Sequence, residues 1–114
     1  MKTVWDNVDK FEEIIAEYAG SKYAIAVDSC TNALFLSMKY CKLGNNSVEV
    51  LEIPKHTYIS VPMQAIHAGY KVKFVDKSWS GAYNIGNIPV VDSAQRFTEK
   101  MFKQNTFYCL SFNF

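Results

Sequence analysis

Apolar residues recur at intervals of three and four at Val8, Phe11, Ile14, Ile15 and Tyr18, with Glu12, Glu13 and Glu17 mostly between them. That spacing predicts an amphipathic helix over 8–18, stopped by Gly20. The run Tyr23-Ala24-Ile25-Ala26-Val27 is uninterrupted by polar residues and ends in Asp28-Ser29, which predicts a short strand buried on both faces. From about Thr31 to Leu43 the residues Ala33, Leu34, Leu36, Met38, Tyr40 and Cys41 surround most of a helix, so a buried helix is expected, closed by Gly44-Asn45-Asn46. Val48 to Ile53 reads as a strand halted by Pro54. Thr57 is the expected cap of a third helix reaching Ala68 and ended by Gly69, and Lys71 to Val75 alternates as a strand. The stretch 76–87, with Gly81 and Gly86, reads as a loop in which Trp79, Ala82 and Tyr83 pack down. Ile88-Pro89-Val90-Val91 is a strand ending at Asp92, and Phe107 to Leu110 is one ending at Ser111.

Strands alternating with helices predict an α/β fold, a mainly parallel sheet with helices on both faces, in a single domain spanning 1–114. In such sheets ligands gather at the carboxyl ends of the strands. Polar residues fall at those ends: Asp28-Ser29-Cys30-Thr31, His56-Thr57-Tyr58, Asp92 with Gln95, and Ser111.

Composition narrows the chemistry. A length of 114 residues with 49% hydrophobic and 20% charged positions suits one packed core and not a disordered chain. The net charge of +1 supplies no field for nucleic acid or an anionic membrane, so an anion would be held by local geometry. Cys30, Cys41 and Cys109 are odd in number and widely spaced, as free thiols are, and His56 and His67 have no companions at metal-ligand spacing, so no metal is expected. The N-terminus lacks the apolar run of a signal peptide and no apolar stretch reaches membrane-spanning length, which makes a cytoplasmic location the expectation.

Taken singly, each polar cluster has two readings. Ser29-Cys30-Thr31, between a strand and a helix start, offers amides and the positive helix end to a phosphate, or is a plain N-cap. Tyr58 offers an aromatic face to a planar ring, or belongs to the core. Asp92 closes an apolar run, where a carboxylate needs donors or a cation to meet it, or it caps a turn. Gln95 falls on the same side if the chain turns helically, and Ser111 binds phosphate or ends a strand.

In chain order these pieces resemble the DegT/DnrJ/EryC1/StrS family of sugar aminotransferases, fold type I enzymes dependent on pyridoxal 5'-phosphate (PLP). Phe11-Glu12, Tyr18-Ala19-Gly20 and Tyr23-Ala24 resemble the family's opening helix and strand. Ser29-Cys30-Thr31-Asn32-Ala33-Leu34 resembles its Ser-Gly-Thr-x-Ala-Leu phosphate loop, with Cys30 at the middle glycine, and 54–60 its Pro-x-x-Thr-Phe-x-Ser/Ala segment. Ala68-Gly69-Tyr70 and Val75-Asp76 resemble the stretch that follows. Val91-Asp92-Ser93-Ala94-Gln95 resembles its Glu-Asp-Ala-Ala-Gln motif, and Ser111-Phe112-Asn113 the Ser-Phe-His that leads to the Schiff-base lysine.

The resemblance implies the N-terminal part of an incomplete, aspartate-aminotransferase-like large domain. It also implies a homodimer and a reaction that moves an amino group, typically from glutamate, to a nucleotide-linked keto-sugar in polysaccharide biosynthesis. It places Ser29, Cys30, Thr31 and Ser111 at the PLP phosphate, Tyr58 on the ring, Asp92 at the ring nitrogen and Gln95 at the phenolic oxygen. No catalytic residue falls in this chain, because the lysine is expected just after Phe114; alone, the chain is expected to be inactive and to hold PLP noncovalently if at all. Between Asp76 and Ile88 the chain is much shorter than typical members, so one strand-helix unit of the sheet is expected to be missing. The alternatives are a non-catalytic interaction protein, one half of a split enzyme completed by a second chain, and a different phosphate-binding α/β protein.

Overall fold

The computed structural model describes residues 3–45 and 47–112. Asn46 of the expected helix stop, and Asn113 and Phe114 of the last motif, lie outside the described residues. The order is α1 (Val4–Ala19), α2 (Cys30–Gly44), β1 (Val50–Pro54), α3 (Ser60–His67), β2 (Lys71–Val75), β3 (Tyr83–Asn84), β4 (Val90–Ser93) and β5 (Phe107–Leu110). The α/β class is the one expected.

Two of the three strand pairs are parallel, β1 with β2 and β4 with β5, and β3 joins β4 antiparallel. The strands form two sheets, β1-β2 and β3-β4-β5, where one sheet was expected. The 76–87 stretch, expected as a loop, yields β3, and the turn after it carries Gly86 at φ +55, where an added Cβ would stand 3.2 Å from the Glu52 amide nitrogen. The backbone of that turn thus approaches the other sheet so closely that a side chain there would need its neighbours to give way by a few tenths of an ångström, in a conformation L residues rarely adopt. Leu51, Ile53, Val61, Ile85, Val90 and Met38 fill the core around this seam, each almost fully buried.

Helix α1 starts with the Thr3 amide on the Asp6 carboxylate at 2.7 Å and ends at Gly20, φ +80, whose amide reaches Ala16 and Glu17. It joins the body through the loop that follows β4: the amides of Lys100 and Phe102 donate to Tyr18 and Ala19 carbonyls, and the Tyr18 ring meets Phe97 at 4.7 Å. α2 lies against β4, β5 and α3.

Four local expectations are corrected. Residues 23–27 are not a buried strand: no strand among the described residues pairs with them, and Tyr23 and Ile25 are 74% and 82% exposed. An extended segment becomes a strand through a neighbour's ladder, and here the Ala26 amide goes to the Glu12 carboxylate instead, at 2.7 Å. α2 is not buried all round; Leu34 and Met38 face inward while Leu36, Tyr40 and Leu43 remain exposed, because one side alone has elements packed on it. Thr57 does not cap α3, which begins at Ser60 without a side-chain cap; its hydroxyl is engaged by the Tyr83 phenol. The strand expected from Ile88 begins at Val90 and runs through Asp92 to Ser93, consistent with Pro89 having no amide to give a ladder.

This packing sets a stability contrast. Leu34→Ala should cost about 2–5 kcal/mol in denaturant unfolding, whereas Ile25→Ser should change stability by no more than about 0.5 kcal/mol. A large loss at Ile25 would restore the buried-strand reading.

Candidate functional site

The carboxyl ends of β4 and β5, the N-terminus of α2 and the β1–α3 loop surround an open cavity of about 1430 Å³. Ser29, Cys30, Thr31, Tyr58, Asp92, Gln95 and Ser111 all border it. The Ser29 hydroxyl accepts from the Asn32 amide at 3.1 Å, an N-cap, and the Ser29 carbonyl takes the Ala33 amide. The amides of Cys30 and Thr31 open the helix, where donors lack intrahelical carbonyls and the dipole favours an anion. The Thr31 hydroxyl donates to Ser60 at 3.3 Å, tying this turn to α3. Tyr58 is 74% exposed at the rim, Gln95 is exposed in the turn after β4, and Ser111 is half-buried.

Asp92 is 7% exposed in the middle of β4. One carboxylate oxygen accepts from the Ala94 amide at 3.2 Å, and the Tyr83 phenol lies beside it. Neither partner carries a positive charge. A buried carboxylate met by neutral donors and open to a cavity is suited to receive a cation from the cavity side.

Around it stand groups that sequence reading did not single out for chemistry. Tyr83, 5% exposed, is the cross-strand neighbour of Asp92, and its ring leans on Trp79 at 4.5 Å. Cys109 is the neighbour of Asp92 on the other side, in β5, with its sulfur 3.5 Å from the Ser37 hydroxyl. Burial first, and then the Asp92 charge, push the Cys30 thiol up to about 11. Burial likewise pushes Cys109 up to about 12, against a lowering from the Ser37 hydrogen bond. All three cysteines are free, and no cluster of metal-ligating side chains occurs among the described residues. No helix among them is long and apolar enough to cross a membrane.

The family model for DegT/DnrJ/EryC1/StrS aminotransferases matches residues 1–88. A UDP-4-amino-4,6-dideoxy-N-acetyl-beta-L-altrosamine transaminase of Campylobacter jejuni serotype O:2 is 36% identical over 106 residues, covering 81% of this chain and 27% of the relative. Spore coat polysaccharide biosynthesis protein SpsC of Bacillus subtilis is 41% identical over 69 residues, 60% of this chain and 17% of that protein. The chain thus spans about a quarter or less of the length of these curated relatives. No solved structure matches it significantly.

The thiols offer a direct check on the interior described above. The thiolate is the reactive form, and with its thiol raised from 9.0 to about 11, Cys30 should alkylate about a hundredfold more slowly at pH 8 than an ordinary exposed thiol. Cys109 should be slower still. Labelling followed by peptide mass spectrometry should show both rates still climbing above pH 9; a Cys30 rate that levels off near pH 9 would contradict its burial beside Asp92.

Proposed function

The chain belongs to the DegT/DnrJ/EryC1/StrS aminotransferase family, and on that premise we propose that it is the cofactor-binding portion of a PLP-dependent sugar aminotransferase, folded as the N-terminal part of that enzyme's large domain. The observation that carries the reading is Asp92: a buried carboxylate, provided with neutral donors only, at the edge of a cavity that also holds a helix N-terminus. These two features suit the two charged ends of PLP, a protonated pyridine nitrogen and a phosphate. When bound, the cofactor supplies an electron sink for the carbanion of amino-group transfer.

The roles proposed for this chain's residues are binding and orientation. The amides of Cys30 and Thr31, with the hydroxyls of Ser29, Thr31 and Ser111, serve the phosphate; the Ser29 hydroxyl already caps Asn32, so its share is the smaller. Cys30 at the loop's middle position brings a half-buried thiol to the cavity wall, kept protonated at neutral pH and so not a competing nucleophile. Tyr58, free to swing at the rim, covers the ring, and Gln95 reaches the phenolic oxygen. Asp92 holds the ring nitrogen protonated. The amino acceptor would be a nucleotide-linked keto-sugar, as the name of the Campylobacter transaminase suggests for that enzyme. A cavity of about 1430 Å³ exceeds the roughly 300–1,000 Å³ of a small-molecule pocket, leaving room for more than the cofactor. In a cytoplasmic enzyme of this kind the amino donor would be glutamate.

A homodimer is proposed on separate grounds. α2 exposes Leu36, Tyr40 and Leu43, and α3 with its N-cap exposes Ile59, Met63 and Ile66. Each set follows helical spacing, and contiguous apolar stripes of this kind are usually covered by a partner.

Two experiments test these proposals. In a fluorescence titration the chain should bind PLP reversibly, so that dialysis removes it, and Asp92→Asn should weaken binding by about 1–3 kcal/mol. Identical binding by both proteins would remove Asp92 from the site. Light scattering at high protein concentration should find a mass above the 13.0 kDa of one chain, lowered by Tyr40→Glu with Met63→Glu; a monomer throughout would refute the dimer.

A further inference from the structure

In the β3–β4 ladder Tyr83 stands opposite Asp92. Directly opposed residues of an antiparallel pair project from the same face of the sheet. The Tyr83 ring is fixed by burial and by its contact with Trp79, whose indole nitrogen donates to the His56 carbonyl at 2.7 Å. Its hydroxyl has two polar neighbours. Thr57, from the β1–α3 loop, is hydrogen-bonded to it, and the Asp92 carboxylate, projecting from the same face of the sheet, acts on it electrostatically. Burial and Asp92 together raise the phenol well above its ordinary range. At neutral pH it therefore keeps its proton and can donate it.

The direction of the chain of donors follows. A protonated phenol beside an ionised carboxylate donates to it, which leaves its oxygen to accept from the Thr57 hydroxyl. Tyr83 and Asp92 come from neighbouring strands of one sheet, and Thr57 from the loop that leaves β1 of the other. A carboxylate that accepts from the Ala94 amide in the turn just after β4, and that stands against a phenol of β3, has little freedom to rotate. A core tyrosine needs only some partner for its hydroxyl; this one has the residue that the site turns on.

We propose that Tyr83 is the positioning residue of the cofactor site: its hydroxyl, steadied by Thr57, fixes the Asp92 carboxylate in the orientation that meets a protonated ring nitrogen in the cavity. The proposal rests on the PLP reading given above. It assigns Tyr83 and Thr57 a part in ligand selection that neither has through direct contact with the ligand.

The test compares two probes on the 114-residue chain: PLP, and its carbocyclic analogue in which C–H replaces the ring nitrogen. Both share the phosphate and ring contacts, so the ratio of their affinities reads the Asp92 interaction alone. The wild-type chain should prefer PLP, and Asp92→Asn should erase the preference. Tyr83→Phe keeps the ring and its packing; it should reduce the preference about fivefold, the worth of roughly one net hydrogen bond, with affinity for the analogue unchanged. Thr57→Val should reduce it in the same direction by less, and it serves as the test if Tyr83→Phe does not fold. A wild-type ratio in Tyr83→Phe, or in Thr57→Val standing in for it, overturns the proposal while leaving the cofactor reading intact. Equal losses for both probes also overturn it, since they mark a merely structural residue. No preference in the wild type, with Asp92→Asn binding both probes as the wild type does, defeats the cofactor reading itself, and the proposal with it.

Discussion

An ionised carboxylate withdrawn from water must be met by donors, and the placement of Asp92 is the constraint on which the rest of this structure turns. It sits on the central strand of a three-stranded sheet, so both neighbouring strands bear on it. β3 answers with a phenol and β5 with a thiol that burial keeps protonated at neutral pH. α2 adds a second protonated thiol at its first residue. Burial, and in smaller part the charge, makes all three neighbours reluctant to lose their protons, so they remain neutral around it. A site of this kind holds one negative charge and leaves its complement to come from the cavity.

The same arrangement explains why α2 matters more than its length suggests. Its buried residues Leu34 and Met38 pack it on the core, and that packing sets its first turn at the cavity wall. The Ser29 cap defines where the helix begins. The buried residues and the first turn at the cavity are thus parts of one helix, and the Thr31–Ser60 hydrogen bond ties that turn to α3.

Much of this was legible in the sequence, where the signal was local. The strand over 107–110 and the second helix follow from short-range patterning, and the polar residues at strand ends border one cavity because strand ends in an α/β layout converge. What failed was what depends on neighbours. The run from Tyr23 to Val27 has the composition of a buried strand, and nothing in five residues reveals whether another strand lies beside it. Leu36 and Tyr40 read as core for the same reason. Tyr83 was expected to pack down but its chemistry was missed. The alternation of buried Tyr83, exposed Asn84 and buried Ile85 is a period-two signal that marks β3, though only the ladder with β4 reveals that its tyrosine faces Asp92. Cys109 hid inside an apolar run, where a thiol looks like any small hydrophobe.

The seam at Gly86 bears on how this chain tolerates change in length. Residues 76–78, ahead of β3, are exposed, and added residues there could bulge into solvent. After β3 there is no such freedom, because the turn presses its bare backbone against Leu51 and Glu52 of the other sheet. Insertions and deletions should therefore accumulate on one side of a two-residue strand and be barred from the other, and a strand this short can keep its register only because one of its flanks cannot slip.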